Sequence, residues 1–163
     1  MIAITSLLFP AILIAAAVND VREFKIPNRL VAVLVVAWPL AAVQMGLGLD
    51  VMIQSMIAAI AVFVLGFGLY AGRLLGAGDV KLLAAATLWV GAPLVFPFLV
   101  KMALVGAVFA FLLLRFRNMP LLMVEAYYPW LTNLHERRDA IPYGVAIAIA
   151  GFITWPHTAF FAF

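Results

Sequence analysis

From Val51 to Ala71 the chain carries no charged residue, a run as long as the roughly 20 residues that an α-helix needs to cross a bilayer. Nor does that run stand alone. Of 163 residues, 68% are hydrophobic and 10% charged, where a soluble domain is about half apolar and about a quarter charged. Thirteen Phe, seven Met and a mean hydropathy of +1.21 agree. Six spans would take about 120 residues and leave about 40 for connections, so no further soluble domain fits. Disorder and coiled coil need more charge than this, and the absence of Cys removes disulfides, zinc clusters and thiol chemistry. The net charge of +3 is gathered in short clusters, so no nucleic-acid partner is expected. The expected partner is the lipid bilayer.

Apolar runs broken by turn residues give six candidate spans in one all-α domain over residues 1–163. They are Met1 to about Asn19, Leu30 to Met45 (punctuated by Pro39), Val51 to Ala71, Val80 to Phe96, Pro97 to Leu114, and Pro142 to Phe163. The first has no Lys or Arg at its start, unlike a signal peptide. Gly72, Gly76 and Gly78 mark the third break, and Gly91, Pro93 and Pro97 the fourth.

Every Lys and Arg except Lys101 falls in the first, third or fifth connection. The positive-inside rule then puts those connections in the cytoplasm and both chain ends outside. Lys101, within the fifth span, either snorkels or pairs with a carboxylate. In the long fifth connection, Met119 to Leu134 is apolar and aromatic but interrupted by Pro120, Glu125 and Pro129, which suits an interfacial segment.

Glu23, Asp50, Glu125, Glu136 and Asp139 sit in connections, where water explains them. Asp20 and Asp79 each end an apolar run on the cytoplasmic side, where a carboxylate is partly desolvated and often functional. Structural roles are available to both. Asp79 suits the N-cap of the fourth helix, and Asp20 a local cap for the turn that follows it. If they meet, both cannot ionise in a low-dielectric pocket, so one pKa rises and a proton is shared. Such a pair can hydrolyse a peptide bond without cofactor or metal, one carboxylate activating water while its protonated partner polarises the carbonyl. His135 and His157 are isolated and form no metal-ligand set. Gly76 and Gly78 would let a substrate backbone approach Asp79. Lys81 is either a stabiliser of the Asp79 charge or a topology signal.

Asp20 with Lys25-Ile26-Pro27-Asn28, then Gly76-Ala77-Gly78-Asp79-Val80-Lys81-Leu82, then Ile141-Pro142-Tyr143-Gly144 resembles the prepilin peptidases, GxGD intramembrane aspartic proteases. The likeness is to the short members that serve Flp/Tad-type pili. It implies that Asp20 and Asp79 are the catalytic pair, in a six-span protein of the bacterial inner membrane with its site open to the cytoplasm. It also implies a prepilin substrate, whose short leader is cut off ahead of a hydrophobic helix. Pro142, Tyr143 and Gly144 match the last motif and are assigned to packing near the site. The cysteine-rich insertion and N-methylating segment of longer members are missing, so peptidase activity alone is expected.

Two other functions compete. A small proton- or cation-coupled transporter would use the same carboxylates as a relay, but would show pseudo-symmetric halves and interrupted helices near the midplane. A structural assembly subunit would tolerate loss of both carboxyl groups.

Overall fold

The computed structural model describes residues 7–119, 128–137 and 140–161. These form α1 (Leu8–Glu23), α2 (Asn28–Gln44), α3 (Leu49–Ala71), α4 (Ala77–Val90), α5 (Val95–Arg117), α6 (Pro129–Glu136) and α7 (Tyr143–Thr154), with 3₁₀ turns at Ala92–Leu94 and Trp155–His157. No strand occurs among the described residues. Helices satisfy their own backbone hydrogen bonds, which a segment surrounded by hydrocarbon must do.

Two helical stretches, Leu49–Ala71 and Ala92–Arg117, have the length and composition to cross a membrane, with mean hydropathy 2.2 and 2.3. Their outer faces present Ile57, Val64, Leu65, Leu104, Val108 and Phe111, each more than 60% exposed. A belt of that size would drive aggregation in water and is matched by lipid. Among the described residues the structure is all-helical, with two apolar helices suited to a membrane.

α4 takes the opposite place. From Val80 to Val90 all its residues are buried except Lys81 and Ala84, because α2, α3 and α7 pack around it. Trp89 anchors its far end. The indole lies 5.6 Å from the Phe9 ring and 4.9 Å from Phe160, and its N–H donates to the Leu34 carbonyl at 3.0 Å.

Several boundaries differ from the sequence reading. The fourth apolar run is helical only to Val90, not Phe96, because Gly91 turns the chain with φ +81° and Pro93 follows in the 3₁₀ turn. Pro97 lies inside the first turn of α5, where its missing N–H costs nothing. The last helix ends at Thr154 and tightens to 3₁₀ at Trp155–His157, since Pro156 has no N–H to continue the ladder. Gly78 belongs to the first turn of α4 rather than to the break before it. α2 continues through Pro39. With 16, 17, 14 and 12 residues, α1, α2, α4 and α7 are each shorter than the roughly 20 of a full span. The start of the first expected span, residues 1–6, lies outside the described residues, as do 120–127 of the expected interfacial segment.

Among the described residues, Arg22, Lys25, Arg73, Lys81, Arg117 and Arg137 gather at one end of the bundle, and Lys101 does not. Arg22 and Arg137 line one cavity there, Lys81 Nζ donates to Asn28 Oδ1 at 3.1 Å, and the Arg137 guanidinium sits 5.0 Å from the Phe24 ring centre. Arg117, 3% exposed, donates to the carbonyls of Leu134 at 3.0 Å and Ala140 at 2.8 Å. It thereby holds α6, which buries Leu134 and His135, and the approach to α7 against the end of α5. Lys101 donates to the Thr154 hydroxyl at 3.3 Å, so its partner is a hydroxyl and not a carboxylate.

Candidate active site

Asp20 sits in the last turn of α1 and Asp79 in the first turn of α4, both at the basic end of the bundle and both beyond the apolar stretches of their helices. They are 5% and 7% exposed. Two cavities flank them, and both carboxylates line each one. The first, about 270 Å³, is completed by Lys25, Ile26, Asn28 and Lys81. The second, about 310 Å³, is completed on its far side by Tyr70, Arg73, Ala140 and Tyr143.

Each carboxylate spends one oxygen on a helix N-terminus. The first N–H groups of a helix have no partner within it and attract negative charge. At α7, Pro142 has no N–H to offer, and the Gly144 N–H donates to Asp20 Oδ2 at 2.7 Å. At α4, the Gly76 N–H donates to Asp79 Oδ2 at 3.1 Å. Asp79 is therefore not the N-cap that its position after Gly78 suggested. Gly76 is the cap, and Asp79 reaches back to it from the third helical position. Asp20 likewise does not cap the turn that follows it. That turn closes through the backbone, the Phe24 N–H donating to the Asp20 carbonyl at 2.9 Å with Phe24 in the left-handed region at φ 52°.

Burial raises both carboxyl groups well above the usual carboxylate range. Asp20 is pushed up to about 6, against the lowering effect of the Gly144 N–H. Asp79 is pushed up to about 7, by burial first and by the charge of Asp20 second, against the Gly76 N–H. Among the described residues neither carboxylate has an ion-pair partner. Lys81 follows Asp79 by two positions, which turns it to another face of α4, and it bonds Asn28 instead. Two acids with raised pKa values thus line one cavity, an arrangement suited to concerted general acid and base action.

The glycines of the motifs serve the protein's own packing. A Cβ on Gly76 would lie 2.9 Å from Asp79 Oδ2, and one on Gly78 3.2 Å from Ile26 Cβ. A Cβ on Gly144 would lie 2.7 Å from Asp20 Oδ2 and 3.1 Å from Ile26 Cδ1. Both Gly76 and Gly78 also line the first cavity beside Asp79, Gly76 exposed and Gly78 half-buried. Pro142 is buried and Tyr143 half-buried at the mouth of the second cavity.

Ile26 is the residue that the sequence reading left without a role. It is 7% exposed and wedges between the first turns of α4 and α7, so one apolar side chain holds apart the two helix ends that cap the carboxylates. An Ile between Lys25 and Pro27, in a charged loop, was the available signal.

A model of the type IV leader peptidase family matches residues 7–111, which take in Asp20, the following loop and the whole of α4. The chain belongs to the type IV leader peptidase family. No curated protein and no solved structure matches it. For a leader peptidase the matched stretch supplies both acids, while the Gly144 N–H that holds Asp20 comes from beyond it.

Proposed function

We propose that this leader peptidase is an aspartic endopeptidase that uses Asp20 and Asp79 to remove the short cytoplasmic leader of prepilin-like substrates for pilus assembly or secretion. The supporting observation is the sharing of both flanking cavities by two buried carboxylates that lie far apart in the chain. The ionised acid takes a proton from water, whose oxygen attacks the amide carbon, while the protonated acid gives its proton to the carbonyl oxygen. Collapse of that intermediate returns a proton to the leaving nitrogen and breaks the C–N bond. The two acids exchange roles through the cycle, so neither has a fixed one.

The reading includes six spans in the bacterial inner membrane, both chain ends outside, the acids facing the cytoplasm, and no N-methyl transfer. The charge placement supports that orientation. A transporter is not favoured, since both acids lie at one end of the bundle rather than near its middle.

The test is cleavage of a purified prepilin by the detergent-solubilised protein, followed by gel shift, with Asp20→Asn and Asp79→Asn beside the wild type. Each variant should fold and lose at least about a hundredfold in rate, whereas loss of a cap alone would cost about 1 kcal/mol of stability. Full activity in either variant would falsify the proposal.

A further inference from the structure

A cavity larger than either of those flanking the acids lies away from them. α2 and α3 are consecutive, yet both lean on α4 and barely meet each other. The gap between them is a groove of about 540 Å³, well inside the range of about 300–1,000 Å³ for ligand sites. Val35 and Trp38 form one wall, Met56 and Ile60 the other, and Ala84 and Leu88 of α4 the floor. Met side chains adapt to varied apolar shapes. The walls carry almost no polar surface until one end, where Lys81 lines both this groove and the cavity holding Asp20 and Asp79. From Lys81 to Leu88 the floor runs roughly 10 Å along α4 at 1.5 Å per residue, about two helical turns.

We infer that this groove receives the first turns of the substrate's apolar helix, so that the segment just ahead of it lies extended across the acid pair. The inference rests on the peptidase reading above. An apolar helix laid in an apolar groove is a recurrent mode of recognition, and here the groove leads into the catalytic cavity through a shared residue. Continuity also answers a geometric need. A helix hides its amides, so the cut must fall where the chain leaves the helix, and the groove ends at Lys81, beside the acids.

Ala84 is half-buried in the floor, and a large side chain there would fill the groove. Purified wild type, Ala84→Trp and a control, Val108→Trp on the lipid-facing side of α5, are compared on two substrates. One is a full prepilin, and the other is a soluble peptide that spans the cut but lacks the apolar helix. Ala84→Trp should raise KM for the prepilin at least tenfold more than for the peptide, and Val108→Trp should not separate the two. Equal effects on both substrates, or no change for the prepilin because the groove holds only lipid, would overturn the inference. A second measurement does not depend on turnover. The chain has no Cys, so Ala84→Cys and Val108→Cys in an Asp79→Asn background can each carry a single benzophenone. Photolysis should couple the prepilin helix to position 84 and not to 108. Wild type that cleaves prepilin without this coupling refutes the groove alone, whereas wild type that cleaves neither substrate refutes the peptidase reading first.

Discussion

Replacing Gly144 by Ala should disable the enzyme although residue 144 contributes no side chain to the chemistry. The added Cβ would stand 2.7 Å from Asp20 Oδ2, 0.7 Å short of the 3.4 Å at which such contacts become ordinary. Rotation of the carboxylate alone cannot relieve this, because Asp20 Cβ and Ile26 Cδ1 both lie at 3.1 Å. The backbone of α1 or α7 must therefore move, and the 2.7 Å bond from the Gly144 N–H to Asp20 lengthens or breaks. Two opposing stability terms apply. Ala is the better helix former by about 1 kcal/mol, while overpacking costs about 1–3 and a weakened bond to a charged group about 1.5–3. The net expectation is a loss of about 1.5–5 kcal/mol, visible as a lower thermal midpoint in detergent. The larger effect is catalytic, since misplacing a reacting group by about 1 Å costs on the order of a hundredfold in rate. Prepilin cleavage and the thermal midpoint should be measured on the same preparation. Gly68→Ala is the control, because nothing lies within 4 Å of its Cβ position. A folded Gly144→Ala protein with wild-type cleavage would mean that Asp20 need not be held where it is.

The raised carboxyl groups set two pH dependences. With Asp20 at about 6 and Asp79 at about 7, cleavage should peak between those values and fall on either side, measured as kcat/KM against pH. Because the folded values lie above the unfolded 3.8, the folded state binds the extra protons, and their stabilising effect is complete below pH 3.8 and lost as pH rises through 6 to 7. Asp79→Asn should therefore gain thermal stability relative to wild type at pH 8 and lose that advantage at pH 4; a constant difference would count against the raised value. Arg117→Ala should cost about 2–4 kcal/mol, since a buried charge-assisted bond to the Leu134 carbonyl and a part-buried one to the Ala140 carbonyl disappear, and an unchanged midpoint would show that the strap is dispensable.

Much of the polar end was legible in one dimension. The uncharged runs and the placement of Lys and Arg carry the membrane character and the gathering of basic residues, because the cost of a charge in hydrocarbon is large and local. Asp20 and Asp79 stood out for the same reason. The interior was less legible. α4 is the wrapped helix and α3 the lipid-facing one, yet both are apolar over most of their length, and in a bilayer composition does not separate inside from outside as it does in water. The halt of α4 at Val90 depends on the positive φ of Gly91, which competed with Pro93 and Pro97 as the breakpoint. The partner of Asp20 could not be read at all, because it is a backbone N–H, and every residue but Pro has one. The wedge made by Ile26 is a matter of three elements meeting, which no local pattern encodes.

That each acid also tethers the start of a helix has a practical bearing on how inactive variants are interpreted. Truncating Asp20 to Ala would strip an acceptor from α7 and Asp79 to Ala would strip one from α4, so a dead alanine variant confounds lost chemistry with a frayed scaffold. Asparagine keeps a carbonyl oxygen where the tether needs it and surrenders only the titratable proton, and it alone among the usual replacements separates a worker from a brace.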